Sequence, residues 1–474
     1  MIDTFAIRCS ILRLALSGKL SEQKETDGTA KELLSRVTRI NNEQDVGAPY
    51  QIPESWSWVK LGDLYKINPK VEADDNADAA FIPMDKISAG FDRSFTYETQ
   101  IWEKASKNHT KFADEDVAFA KITPCFENRK SFIARDLPNG IGGGTTELII
   151  LRQKEMLPEY TYLLILDQRF INTGTASYKG SVGQQRVQSD VIKNYLIPVP
   201  PIAEQQRIVD RVQQAFTALD TIDELQTQYS DNLTVLKSKL IDAAIQGKLT
   251  EQLPEDGTAE ELYQQIQEEK QALIKAGKIK KEKPLPAIKM NEIPFEIPAN
   301  WKWCRVEDIL LSIGSGKSIR CNESVPDDNT PGIIKVSAVT WGSFQENESK
   351  TCLSDSDWNE DYSIHSGDFL ISRANTRKLV GACVIVDKIR KKLMLSDKIL
   401  RITFSEKIDS QFMLKVMRSS ILRNQIEAVA TGTSDSMNNI SQKEIRGFLI
   451  PLPPIAEQKR IVARLDQVLA MIEV

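Results

Sequence analysis

The sequence predicts an α+β chain. Two globular domains, each a curved sheet with helices, are held apart by a long antiparallel two-helix coiled-coil spacer in a cyclic pseudo-two-fold arrangement. Three observations predict this. The chain is written twice, an apolar seam runs through its middle at coiled-coil spacing, and the two termini together supply most of a second seam.

The duplication is read from its borders. Ile197–Val209 (IPVPPIAEQQRIV) recurs 253 residues later as Ile450–Val462 (IPLPPIAEQKRIV). Gly18–Gln23 and Asp27–Ala30 recur 229 residues later as Gly247–Gln252 and Asp256–Ala259. Ile52–Trp58 (IPESWSW) recurs as Ile297–Trp303 (IPANWKW). The interiors diverge but keep a skeleton. Asp116–Lys121 aligns with Asp368–Arg373, and each half carries a glycine-rich polar segment before its last strand, Lys179–Arg186 and Thr431–Asn438. Shared borders around divergent interiors suggest one scaffold presenting two binding faces, although duplication also suits a purely structural protein.

The spacer is expected from Ile208, Val212, Ala215, Leu219, Ile222, Gln226, Tyr229, Leu233, Leu236, Leu240 and Ala243, which alternate in steps of four and three. Pro200 and Pro201 suit a helix start and Gly247 a stop. The rise along this seam is roughly 50 Å. The second copy begins the same pattern with Ile461, Leu465, Val468 and Ile472, and the start of the chain continues it with Ile7, Ile11 and Leu14. A composite helix from both termini is therefore expected to pair antiparallel with the central one. Gln226 sets register there or lies solvated at the chain break.

The expected boundaries are 1–48 for an N-terminal half-helix and linker, 49–200 for the first domain, 201–288 for the central helix and linker, 289–453 for the second domain and 454–474 for the C-terminal half-helix. A short amphipathic piece is expected over Ala30–Ile40 and a longer one over Ala259–Ala276. Within the domains, Glu147–Leu151, Val380–Val386 and Ile399–Phe404 read as strands. Glu159–Asn172 and Ser410–Ala428 read as helices.

Composition narrows the function. The 474 residues are 41% apolar and 27% charged, with 61 basic against 66 acidic side chains. That charge excludes coating nucleic acid by bulk attraction. No apolar run spans a membrane and no signal peptide is expected. Six cysteines without a C-x-x-C pair suit a reducing cytoplasm rather than a disulfide scaffold or a metal site. Two isolated histidines, His109 and His365, leave little for relay chemistry or zinc. Gly314–Ser318 (GSGKS) lacks the first glycine of a phosphate loop, because Leu311 stands there. The run Gly142–Gly144 leads into a strand, not into the helix that a nucleotide turn needs.

The P-P-I-A-E-Q segments, together with Phe119–Lys130 (FAKITPCFENRK), Gly144–Glu147 (GTTE) and Gly367–Arg373 (GDFLISR), resemble the specificity subunits of type I restriction-modification systems. Arg129 departs from the family's frequent glycine. The resemblance implies that each variable stretch is a target recognition domain reading one half of a bipartite, asymmetric site in double-stranded DNA. It implies that the helices set the unread spacer and dock two adenine methyltransferase (modification) subunits, to which restriction/translocase subunits can be added. It further implies that the chain is non-catalytic and holds no cofactor or metal, S-adenosylmethionine, ATP and Mg belonging to partner subunits. No membrane partner is expected.

Residues 52–198 contain 18 basic and 20 acidic side chains, so phosphate contacts must come from local clusters. The DNA-binding candidates in the first domain are Lys121, Arg129, Lys130, Lys179, Gln184, Gln185 and Arg186. In the second they are Lys317, Arg320, Arg373, Asn375, Arg377, Lys378 and Asn438. Arginine forks onto guanine O6 and N7, and Asn or Gln onto adenine; each of these side chains can equally be solvated. Thr145–Glu147 orders a loop or accepts from cytosine N4. Trp56, Trp58, Trp301 and Trp303 read as core anchors rather than base-stacking platforms. Two other classes stay open at this point: a coiled-coil scaffold that touches no DNA, and a self-sufficient enzyme, which the missing cofactor motifs disfavour.

Overall fold

The computed structural model describes residues 1–37, 47–153, 155–181, 183–434 and 437–472. Residues 38–40 of the first amphipathic piece, positions inside both glycine-rich segments and the last two residues lie outside the described residues. The chain divides into two compact units, Met1–Gln228 and Tyr229–Val474. No helix of the described residues is long and apolar enough to cross a membrane.

Each unit has two four-stranded sheets among its described residues, in place of the single curved sheet expected. In the first unit one sheet runs Lys66–Ile67, Leu148–Arg152, Val117–Ala120, Ser131–Ile133, all antiparallel. The other runs Glu98–Ile101, Asp78–Ile82, Ile141–Gly144, Thr110–Ala113, with its central pair parallel. The second unit repeats the first sheet as Leu310–Ser315, Ile399–Phe404, Phe369–Ser372, Cys383–Ile385. Its other sheet, Cys321–Asn322, Ser349–Cys352, Gly332–Ile334, Leu393–Met394, again has one parallel pair. The duplication thus extends into the interiors, where the sequences have diverged. Strands buried on both faces, such as Val117–Ala120 and Phe369–Ser372, read as continuous apolar runs and not as alternation.

Both long helices expected inside the domains are broken. Glu159–Asn172 is Pro158–Leu166 and Gln168–Ala176, and Ser410–Ala428 is Ser410–Met417 and Ser420–Val429. Asp167 and Ser419 stand at the breaks with extended backbone, and the Ser419 hydroxyl accepts the Leu422 N–H as a cap. Pro158–Leu166 buries every residue from Tyr160 to Leu166, so its apolar run does not mark the break.

The repeated motifs converge on one polar knot per unit. Glu204, at the start of the 44-residue helix Ile202–Ile245, is buried. Its carboxylate accepts from Ser21 Oγ at 2.7 Å, Gln23 Nε2 at 2.6 Å and Trp56 Nε1 at 2.8 Å. Glu457 accepts likewise from Thr250, Gln252 and Trp301. Gln205 accepts the Leu157 N–H and donates to the Pro200 carbonyl; Gln458 does the same with Asp409 and Pro453. Arg207 pairs with Asp27, and Arg460 with Asp256. Gly18 and Gly247 adopt φ of +72° and +73°, and a Cβ there would lie 2.4–2.5 Å from the ring of Pro53 or Pro298. The P-P-I-A-E-Q, G-K-L-x-E-Q, D-G-T-A and I-P-x-x-W-x-W segments recur together because they are parts of one contact set. Trp56 and Trp301 are buried in it, and Trp58 and Trp303 meet Tyr50 and Phe295 edge-on at 4.8 Å, as core anchors do.

In the first unit the N-terminal helix Thr4–Leu16 runs antiparallel to the long helix. Ile2, Thr4 and Arg8 bond to Gln226, Asp223 and Asp220 in that order. Leu12, Ala15 and Leu16 share a core with Ile208, Val212, Phe216 and Leu219, with Ile11 and Ile222 packed against it. Each fully buried side chain of this size contributes roughly 1.5–3 kcal/mol. Gln226 bonds to both backbone groups of Ile2, so it tethers the chain start instead of being free in water. The seam is shifted by one residue on this helix. Ile7 is 38% exposed, and the buried stripe is Thr4, Arg8, Leu12 and Ala15, because Arg8 turns inward to Asp220 and Asp223.

In the second unit Ile461 and Leu465 of the C-terminal helix Ile455–Ile472 share a core with Ala244 and Ile245, and Leu240 packs against it. Leu233 and Val468 are half-buried, but Tyr229 and Leu236 are 55% and 42% exposed. These two expected seam positions are therefore surface in this unit.

Candidate nucleic-acid interface

Three segments meet at one corner of the first unit. The strand Val117–Ala120 continues into Lys121–Thr123, the loop Thr145–Glu147 leads into the next strand, and the glycine-rich segment folds back as a hairpin. Lys121 N–H donates to the Glu147 carbonyl at 2.8 Å, and Val187 N–H donates to the Lys121 carbonyl at 2.9 Å. Ile122 bridges Arg186, and Arg186 bridges Lys179 across the hairpin. Lys121, Lys179, Gln184, Gln185 and Arg186 are thereby brought together.

Arg186 forks onto the Glu147 carboxylate, with Nε and Nη2 at 2.9 and 2.8 Å, and its Nη1 donates to the Gln184 carbonyl at 3.0 Å. The Arg186 guanidinium, with Lys121 adding to it, holds the Glu147 carboxyl below the usual carboxylate range. Glu147 therefore orders the hairpin through Arg186.

The second unit builds the same corner. Arg373 N–H donates to the Lys398 carbonyl and Ile440 N–H to the Arg373 carbonyl, both at 2.9 Å. Ala374–Asn375 pair with Met437–Asn439, which pair with Thr431–Ser434. Backbone for backbone, Arg373 stands at the place of Lys121, Lys398 at Glu147 and Asn439 at Arg186. Arg373, Asn375 and Asn438 thus share one ribbon, and Arg377 and Lys378 follow exposed on the next turn. Lys317 is exposed beside Gly316, whose backbone lies against the Leu395 carbonyl, and its ammonium is 5.8 Å from the Tyr362 ring. Arg320 is exposed just before the strand Cys321–Asn322.

Two candidates are engaged within the fold. Arg129 is only 6% exposed. Its Nε donates to the Leu166 carbonyl at 3.0 Å, its Nη2 donates to Gln168 at 2.6 Å, and the guanidinium lies 5.0 Å from the Phe5 ring. Burial lowers its pKa from the ordinary value. Lys130 is half-buried and donates to the Met84 carbonyl at 2.8 Å. Both side chains hold the fold, because the turn after Phe126 points them inward. Arg129 has φ of +54°, a conformation that suits glycine.

Lys398 and Asn439 were missed by sequence reading. Alignment of the divergent interiors left Lys398 unmatched and placed the asparagine one residue early. The only signal was the short polar run Ser396–Lys398 before an apolar strand, parallel to Thr145–Glu147.

A family model described as Type I restriction modification DNA specificity domain matches residues 53–228 and again 298–474. The chain is 35% identical to the type I restriction enzyme EcoEI specificity subunit of Escherichia coli, over 98% of this chain and 89% of that one. It is 31% identical to the EcoAI specificity subunit of Escherichia coli, over 99% and 90%. The fold is similar, at a TM-score of 0.61 and 18% identity, to a chain solved in work on complex assembly and conformational transition of the type I R-M system, over 90% of this chain and 93% of that one. With one domain type matched twice, each time over a corner and the buried Trp and Glu of its knot, this chain belongs to the type I restriction-modification DNA specificity family.

Proposed function

We propose that this chain is the DNA-reading specificity subunit of a type I restriction-modification complex, each unit reading one half of a bipartite, asymmetric duplex site. The recognition regions are 49–200 and 289–453. The helical segments form a coiled-coil spacer with pseudo-two-fold symmetry, set the unread spacer and dock two adenine methyltransferase subunits, which restriction/translocase subunits can join. The chain contributes no catalysis. S-adenosylmethionine, ATP and Mg act in the partner subunits, and the complex works in the cytoplasm.

One observation carries the reading: the same backbone corner occurs in both units with different polar side chains, Lys121, Glu147 and Arg186 against Arg373, Lys398 and Asn439. A shared frame with unlike reading groups is what two unlike half-sites need, whereas a symmetric reader gives a palindrome. The test is single-molecule methylation mapping in cells carrying this chain with its cognate methyltransferase, against the methyltransferase alone. A split, asymmetric methyladenine motif that appears only with this chain is expected. An assembled, competent complex without such a motif leaves a protein scaffold as the better account.

A further inference from the structure

We propose that Arg186, held by Glu147 as a positioning residue, reads a guanine in the half-site of the first unit, and that the second unit reads its half-site by a different contact. The inference rests on the DNA-reading function proposed above.

A guanidinium carries five N–H donors. Glu147 engages Nε and one N–H of Nη2, and the Gln184 carbonyl engages one N–H of Nη1. Among the described residues this leaves two N–H groups without an acceptor, one on each terminal nitrogen. Donors on these two neighbouring nitrogens are what guanine O6 and N7 accept in the major groove. The side chain is 42% exposed and its carboxylate partner 20%, so the fork is fixed from behind and open in front. A long arginine normally loses rotamer freedom on binding. Here Glu147 has already restricted it, which favours selectivity over mere phosphate attraction.

The second unit supplies the contrast. Lys398 stands where Glu147 does and Asn439 where Arg186 does. No carboxylate at the equivalent position backs a guanidinium, and an amide in place of the fork matches adenine N6 and N7 better than guanine. Recognition through one frame would thus be switched by changing the reading side chain and inverting the charge behind it.

The test uses the full chain assembled with its methyltransferase. Methylation mapping first gives the motif. Binding is then measured on duplexes in which each guanine in turn is replaced by 7-deazaguanine, which lacks the N7 acceptor. One such replacement, in one half-site only, is expected to weaken wild-type binding by roughly five- to tenfold and to leave Arg186→Ala indifferent. Arg186→Lys and Glu147→Gln, which preserve most of the packing, are expected to lower methylation of the wild-type motif and to relax that same position. Lys398→Glu is expected to leave it unchanged. If these variants methylate the wild-type motif with undiminished guanine preference, or lose activity evenly at every position, the proposal fails while the recognition reading stands. If the wild-type complex shows no motif, the recognition reading itself fails.

Discussion

Trp56 donates its indole N–H to the buried Glu204 carboxylate at 2.8 Å, and Trp301 repeats the bond to Glu457 at the same distance. The pair joins the entrance of each recognition region to the start of its helix. Glu204→Ala removes an acceptor shared by the indole, the Ser21 hydroxyl and the Gln23 amide, the amide also donating to the Gly18 and Ser21 carbonyls. A buried donor left unsatisfied costs about 1–3 kcal/mol. With some of the three reaching water, a loss of about 3 kcal/mol is expected in urea unfolding. Trp56→Phe should cost less than this, and the double variant less than the sum, since both act on one contact set. Additive losses would mean that the two residues do not stabilise the fold through each other.

Arg129 closes the carbonyl end of the helix Pro158–Leu166, a group that has no partner within the helix. Arg129→Ala is expected to cost about 1–3 kcal/mol. Arg129→Gly loses the same bonds but relieves the left-handed backbone, worth about 1–2 kcal/mol, so it should be the milder change. Neither variant should alter the salt dependence of DNA binding, whereas loss of a phosphate contact lowers that slope by about one. A reduced slope at unchanged stability would return Arg129 to the DNA face.

The frame was readable from sequence because its contacts are repeated with fixed residue types: Glu204 and Glu457, Trp56 and Trp301, Asp27 and Asp256. A contact that needs a carboxylate and an indole leaves a mark in both copies. The corner was only half readable. Lys179 and Arg186 stand out in a glycine-rich segment, but nothing local shows whether a cation points outward. Arg129 and Lys130 have the same chemistry and turn inward, held by carbonyls of Leu166 and Met84 that are remote in sequence. The seam on the N-terminal helix was misread by one residue for a similar reason. Arg8 takes an inward position that an apolar pattern assigns to its neighbour Ile7.

Acid should weaken the knots. Hydrogen bonds from Arg207 hold the Asp27 carboxyl below the usual carboxylate range, and Arg460 does the same for Asp256. A carboxyl depressed in the folded state stabilises it fully above its unfolded pKa of about 3.9. That contribution is lost as pH falls from there through the folded value. Urea midpoints should therefore hold level from neutral pH to about 5 and fall below about 4. Asp27→Asn combined with Asp256→Asn should lower the plateau and flatten the acid limb. An acid limb of unchanged steepness in that variant would assign the acid loss to other carboxylates.

The glycines that mimic nucleotide loops make the sharpest packing prediction. Gly143 lies in the strand Ile141–Gly144, and a Cβ there would sit 1.8 Å from the Ala105 carbonyl oxygen. Gly316 meets the Leu395 carbonyl oxygen at 1.7 Å in the same construction. Both contacts are to backbone, which cannot swing aside as a side chain does. Gly143→Ala and Gly316→Ala are each expected to cost about 3 kcal/mol or more, at the upper end of overpacking. Gly314 has open space around its Cβ position and no positive φ, so Gly314→Ala should stay within about 0.5 kcal/mol. A phosphate-cradling loop predicts a different pattern, in which both substitutions in the Gly314–Ser318 segment impair nucleotide binding whatever their effect on folding. Unfolding midpoints of the three variants, with nucleotide titration of the folded ones, separate the two. Nucleotide binding lost in Gly314→Ala would overturn the packing account of this segment.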